Sequence, residues 1–168
     1  MQLSSDELQP EEIDIMQRTS GLPLDHLAIA VITNIWRAAQ ELKSKLERTT
    51  LRRFELTWAS FTTLFIVWIW GPIETRDIAK SQNVTKGTIT STVSLLEKRG
   101  LCLRRQSQKD RRLVTVELTP EGQRLIEEVY PLFNQGEAKL VSGLSKEEQE
   151  TLASLLRKAI KSMRQQEG

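Results

Sequence analysis

The stretch "TRDIAKSQNVTKGTITSTVSLLEKRG", residues 75–100, decides the fold. Ile78 and Ala79 supply the apolar side of a short helix, and the small Ala79 lets a second helix cross closely. Asn83 stands where a turn between two helices needs a left-handed residue, and asparagine is the best tolerated after glycine. Val84 is expected to plug that turn. The pattern predicts one helix opening near Thr75 as N-cap and covering "RDIAKSQ". A second runs from Thr85 to Arg99, with Gly100 just past its end. Winding the second helix at about 100° per residue puts Ile89, Thr92, Val93 and Leu96 within one arc of about 100°.

The opposite arc holds Gly87, Thr90, Ser91, Ser94 and Lys98, flanked by Lys86 and Thr88, and Thr85 at the helix start joins them as a candidate contact. Its residues are small, hydroxylated or basic, and none is acidic. A helix entering the major groove needs short side chains for close approach, hydroxyls for base edges and phosphates, and cations for the backbone. The free N–H groups of its first turn suit a phosphate. A merely solvated face is the rival reading, but such faces usually mix Glu with Lys. No Arg–guanine or Asn–adenine pair is available on the central face, so no base preference is legible.

Downstream, "LCLRRQ" (101–106) and "RLVTVEL" (112–118) read as two strands flanking a polar tip; Val114, Val116 and Leu118 alternate with Thr115 and Glu117. Residues 98–112 hold seven bases and one acid, a local net of +6, whereas residues 1–19 hold five acids and one base. Such asymmetry favours a polyanionic partner. Thr119-Pro120 opens a further helix as N-cap and N1. Its buried residues are expected to be Leu125, Ile126, Val129 and Phe133, with a kink at Pro131. The last helix opens on the capping box Ser145–Glu148 and carries the stripe Leu152, Leu155, Leu156, Ala159, Ile160, Met163.

Upstream, a helical pattern runs from Leu24 to Leu46, long enough to require a partner helix. Residues 1–21 form an arm or short helix after Pro10. Thr57 caps a helix that runs to Trp70 and stops at Gly71-Pro72; its "LFIVWIW" run leaves a strand as a rival. The four tryptophans are expected in a bulky core, with an aromatic ligand cavity as the alternative.

The chain has 168 residues and a net charge of +2, so overall charge names no partner. The longest apolar run is seven residues, against the roughly 20 that span a bilayer, and the acidic N-terminus does not read as a signal peptide. One cysteine, Cys102, excludes an intrachain disulfide and a cysteine metal site, and fits a cytoplasmic protein. One histidine, His26, and one cysteine offer no nucleophile–base pair. Neither a zinc-protease motif, a phosphate-binding glycine loop nor a nucleophile elbow occurs. The acid pairs Glu11–Glu12, Glu127–Glu128 and Glu147–Glu148 read as solvated helix residues. Neither catalysis, a cofactor nor a metal is expected.

Together, "LLEKRGL" (95–101) and "DRRLVTVELTPEG" (110–122), set between a long first helix and two last ones, resemble the MarR transcription regulators over residues 22–165. The resemblance implies a mainly α fold (α+β): a winged helix-turn-helix lobe at about 57–118, with dimerisation helices at about 24–50 and 119–165. It implies a homodimer on double-stranded DNA at a pseudo-palindromic operator, acting as a repressor released by a small aromatic or anionic effector. The helix at 85–99 then reads the major groove and the hairpin tip reaches the minor groove through Lys109, Arg111 and Arg112. Asp110 braces that tip, and Arg112 is the favoured groove residue; alternation puts Arg111 on the other face. Some members of that family sense oxidants through a cysteine in the first helix; Cys102 lies elsewhere and reads as a small strand residue. A winged-helix module that binds protein instead of DNA is the alternative, and the basic tip argues against it.

Overall fold

The structure is a computed structural model and describes residues 8–106 and 114–165. Two compact units divide the chain, Met1–Lys43 and Ser44–Gly168. In the first, helix α1 (Pro10–Thr19) follows Gln9 and places Pro10 at its opening position, where a missing N–H costs nothing. Glu12 is buried, against the expectation of a solvated pair. Its carboxylate accepts from the Gln9 backbone N–H and from Asn34 Nδ2, both at 2.9 Å. Arg37 lies 3.5 Å from Glu11. Helix α2 (His26–Thr49) starts two residues later than the apolar pattern suggested, because Asp25 Oδ1 caps it through the Ala28 N–H. Its stripe is open: Leu27 is 68% exposed and Val31, Ile32 and Trp36 are exposed too.

In the second unit, a 3₁₀ turn (Leu51–Phe54) ends on Glu55 in the left-handed region at φ 55°, a connection that the sequence did not signal. Helix α3 (Trp58–Trp70) is capped by Thr57 Oγ1, which accepts from the Ser60 N–H, and stops at Gly71 with φ 73°. The helix reading of "LFIVWIW" therefore holds. Strand β1 (Ile73–Glu74) is two residues long and leads into α4 (Thr75–Gln82), whose N-cap is Glu74 and not Thr75. Helix α5 (Lys86–Lys98), strands β2 (Cys102–Gln106) and β3 (Val114–Leu118), and helices α6 (Pro120–Leu140) and α7 (Lys146–Gln165) follow.

The sheet is antiparallel with order β1-β3-β2, pairing Ile73 with Val116 and Cys102 with Leu118. Its central Val116 is fully buried, beside a core of Leu64, Ile78, Ile89, Val93, Leu96 and Ile126. Helix α6 buries Ile126, Val129 and Phe133 as expected, while Leu125 is half-buried; Pro131 sits inside the helix without ending it. Phe61 stacks on Phe133 at 4.2 Å, and Trp58, Phe65, Trp68 and Tyr130 extend that cluster between α3 and α6. The expected tryptophan core is thus corrected: Trp58 and Trp68 are half-buried at its edge, and Trp36 and Trp70 are exposed. Helix α7 has the reciprocal capping box, Ser145 N–H to Glu148 Oε2 at 2.7 Å and Glu148 N–H to Ser145 Oγ at 3.2 Å. None of its described residues is buried. No helix among the described residues is long and apolar enough to cross a membrane.

Candidate nucleic-acid interface

Helices α4 and α5 meet across a tight turn built by Asn83, whose φ of 52° is the left-handed value its position predicted. The Val84 N–H returns to the Ala79 carbonyl at 3.0 Å. Val84 itself is 40% exposed, so the backbone closes the turn and the side chain does not plug it. Gln82 fixes the end of α4 from the side: its Nε2 donates to the buried Thr63 hydroxyl at 2.9 Å, and its Oε1 accepts from Thr62 Oγ1 at 3.1 Å. Nothing in the local pattern marks Gln82, because its partners lie a helix away.

Helix α5 is pinned along its inner edge. Ile89, Val93 and Leu96 are fully buried, and Thr85 caps the first turn through the Thr88 N–H at 3.2 Å. At the far end, Arg99 donates to the carbonyls of Glu55 at 2.6 Å and Phe54 at 3.0 Å. Gly100 takes a φ of 71° and accepts from the Thr119 hydroxyl at 2.6 Å. Gly122 explains its own motif: a Cβ there would overlap the Leu101 carbonyl, so only glycine lets α6 pass this close to the strand entry.

Seven of the eight residues proposed from the outer face of this helix are exposed: Thr85, Lys86, Gly87, Thr88, Thr90, Ser91 and Lys98. Ser94 is half-buried and its hydroxyl is engaged. It donates to the Thr90 carbonyl at 2.9 Å and accepts from Arg104 at 3.1 Å. Thr90 and Thr92 likewise donate to carbonyls one turn back, at 2.9 Å each. Lys86 and Lys98 have no ion-pair partner among the described residues.

The basic cluster is smaller than its sequence count. Arg104 pairs with Glu97, Arg105 with Glu117 at 3.0 Å, and Arg99 lies 3.9 Å from Glu55. Two of the seven bases, Arg104 and Arg105, are thereby paired with acids that lie outside residues 98–112, and Arg99 is spent on backbone carbonyls. Lys109, Asp110, Arg111 and Arg112 lie outside the described residues. Cys102 is buried against the Val93 carbonyl, and burial, with the nearby Glu97 charge, pushes its thiol up to about 11. That is the environment of an inert strand residue. No group of three or more potential metal ligands is present among the described residues. A cavity of about 240 Å³ opens beside Leu46, Thr50, Arg53, Leu132 and Lys139; neither His26 nor a tryptophan lines it.

A helix-turn-helix followed by a hairpin, with an outward helix face of hydroxylated and basic residues whose one neighbouring acid, Glu97, is paired with Arg104, defines a winged-helix DNA-binding transcriptional regulator. Residues 56–114 match the MarR family. The chain is 39% identical over 155 residues to the HTH-type transcriptional regulator YwaE of Bacillus subtilis, covering 90% of this chain and 91% of that one. It is similar in structure to S. aureus MepR in a complex with DNA, with a TM-score of 0.70 and 29% identity over 79% of this chain and 97% of that one. Bordetella bronchiseptica BpsR, whose DNA binding is regulated by 6-hydroxynicotinic acid, gives a TM-score of 0.70 and 29% identity over 77% and 97%. The chain belongs to the MarR family. It is a transcriptional regulator and not an enzyme.

Proposed function

We propose that this regulator binds double-stranded DNA sequence-specifically as a homodimer on a pseudo-palindromic operator, and represses transcription until a small aromatic or anionic effector releases it. The observation that carries the reading is the outer face of α5. Seven short, hydroxylated or cationic residues stand exposed there, and the one acid at their edge, Glu97, is paired with Arg104, on a helix whose Ile89, Val93 and Leu96 are fully buried. Thr85, Lys86, Gly87, Thr88, Thr90, Ser91, Ser94 and Lys98 form the major-groove surface, within a winged-helix lobe at about 57–118. Lys109, Arg111 and Arg112 carry the wing into the minor groove, with Asp110 as its brace. Homodimerisation through about 24–50 and 119–165 is supported by the open apolar stripes of α2 and α7, since patches of this kind on a monomer usually mark an interface. A two-fold dimer places half-sites about one helical turn apart. Effector release is supported by the similarity to BpsR; it requires a ligand that favours one arrangement of the dimer over the other. Acting on the chromosome places the protein in the cytoplasm.

The test is binding of the full chain to promoter fragments across a salt series. Tight binding that weakens linearly in log salt is expected. Absence of any binding at low salt would overturn the reading.

A further inference from the structure

Strand β2 reaches across to the groove-facing side of α5 through one side chain. The Arg104 guanidinium spans the outer edge of that helix. Its Nη2 donates to the Thr90 carbonyl at 2.9 Å and to Ser94 Oγ at 3.1 Å, while Nη1 pairs with the Glu97 carboxylate. Glu97 also accepts from the Arg104 backbone N–H at 2.8 Å, so both partners are held at two points. Ser94 therefore has its proton directed inward to the Thr90 carbonyl, and a cation beside its oxygen. One lone pair remains for anything outside. A hydroxyl normally donates or accepts by rotating, which is why serine reads bases without discrimination. Here rotating the proton outward would break the bond to Thr90 and turn it away from the carbonyl that Arg104 also holds. Thr90, by contrast, is exposed, and among the described residues its hydroxyl is bonded only to the Lys86 carbonyl.

We propose that Arg104 is a positioning residue that fixes Ser94 as an acceptor, and that Ser94 thereby selects an exocyclic amino group in the major groove. On the contacted strand that group is adenine N6 or cytosine N4, whereas guanine and thymine present carbonyl acceptors there. The inference rests on the reading of α5 as the groove helix and adds a base class to it. Arg104 is spent inside the protein and does not touch DNA itself.

Selection of bound duplexes from a library randomised across the half-site, with the full chain and three variants, tests this. For the wild type, one position per half-site is expected to prefer adenine or cytosine over thymine or guanine by about tenfold, the scale of a good base contact. Ser94→Ala removes the preference at that position alone. Arg104→Gln and Arg104→Lys reduce it to within about twofold at the same position, because neither keeps the fork that spans Thr90 and Ser94. Thermal melting checks that each variant is folded; Ser94→Ala carries the test if the Arg104 variants are not. A preference for guanine or thymine at the Ser94 position, or an unchanged base pattern in Ser94→Ala, would overturn the inference while leaving the groove assignment intact. So would a uniform loss of affinity at every position in a folded Arg104→Gln. Failure of the wild type to bind any duplex at low salt would sink the groove reading, and this inference with it.

Discussion

Helices α5 and α7 are both amphipathic by sequence, but they are finished differently. In α5, Ile89, Val93 and Leu96 are buried against the rest of their own unit, and the exposed side is polar except for Leu95, which is 49% exposed. In α7, no described residue is buried, and Leu155 and Met163 are 58% and 51% exposed. The chain therefore buries the apolar face of α5 by itself, while the last helix leaves its apolar stripe exposed. Stability changes should follow the first kind of site, and changes of assembly the second.

The contrast is broken most severely at Gly122. Placing a Cβ against the Leu101 carbonyl with Gly122→Ala should destabilise the chain by about 3 kcal/mol, since a fixed backbone atom cannot give way as a side chain can. Thermal or urea denaturation measures this, and a shift of a few tenths of a kcal/mol would contradict the close approach. Leu155→Glu should leave secondary structure intact but convert dimer to monomer in sedimentation, and weaken operator binding by about a hundredfold because bivalency disappears. A variant that stays dimeric would separate α7 from the interface.

Smaller effects sharpen the DNA-facing side. Neutralising Lys109, Arg111 and Arg112 together should make the salt dependence shallower, by about one unit of slope for each phosphate they neutralise in the wild type. An unchanged slope would remove the wing from the interface. Asp110→Ala should weaken binding several-fold although it raises the positive charge, whereas a plain charge-tract account predicts tighter binding. The smallest effect is at Cys102. Its thiol is raised from 9.0 to about 11, so it stays protonated and unreactive at neutral pH. Peroxide should leave DNA binding unchanged. Because the folded state holds this proton more tightly, its stabilising contribution is complete below pH 9 and is lost as pH rises through about 11. Comparing the alkaline melting of wild type with that of Cys102→Ala reads this directly.

Local chemistry was legible and distant pairing was not. The α5 face, the Asn83 turn, the Thr57 and Thr119 caps and the Ser145 capping box are set by neighbours within four residues, and each stands where the sequence put it. Strand β1 is too short to carry a period. The Arg104–Glu97 and Arg105–Glu117 pairs join different elements or strands, so counting charge along residues 98–112 overstated the free cation supply. The glycine of "LTPEG" was visible as a motif letter, but its reason, the Leu101 carbonyl, lies across the fold. Glu12 read as solvated because Asn34, its partner, sits 22 residues away. The tryptophans were assigned to a core on bulk alone, which ignores that Trp36 and Trp70 stand on open helix faces.

Protection mapping of the promoter upstream of its own gene tests the central claim most directly. The account predicts two protected half-sites about one helical turn apart with two-fold symmetry, both abolished when Lys86, Thr90 and Lys98 are replaced by glutamate. A lone unsymmetrical footprint, or protection that survives those replacements, would contradict it.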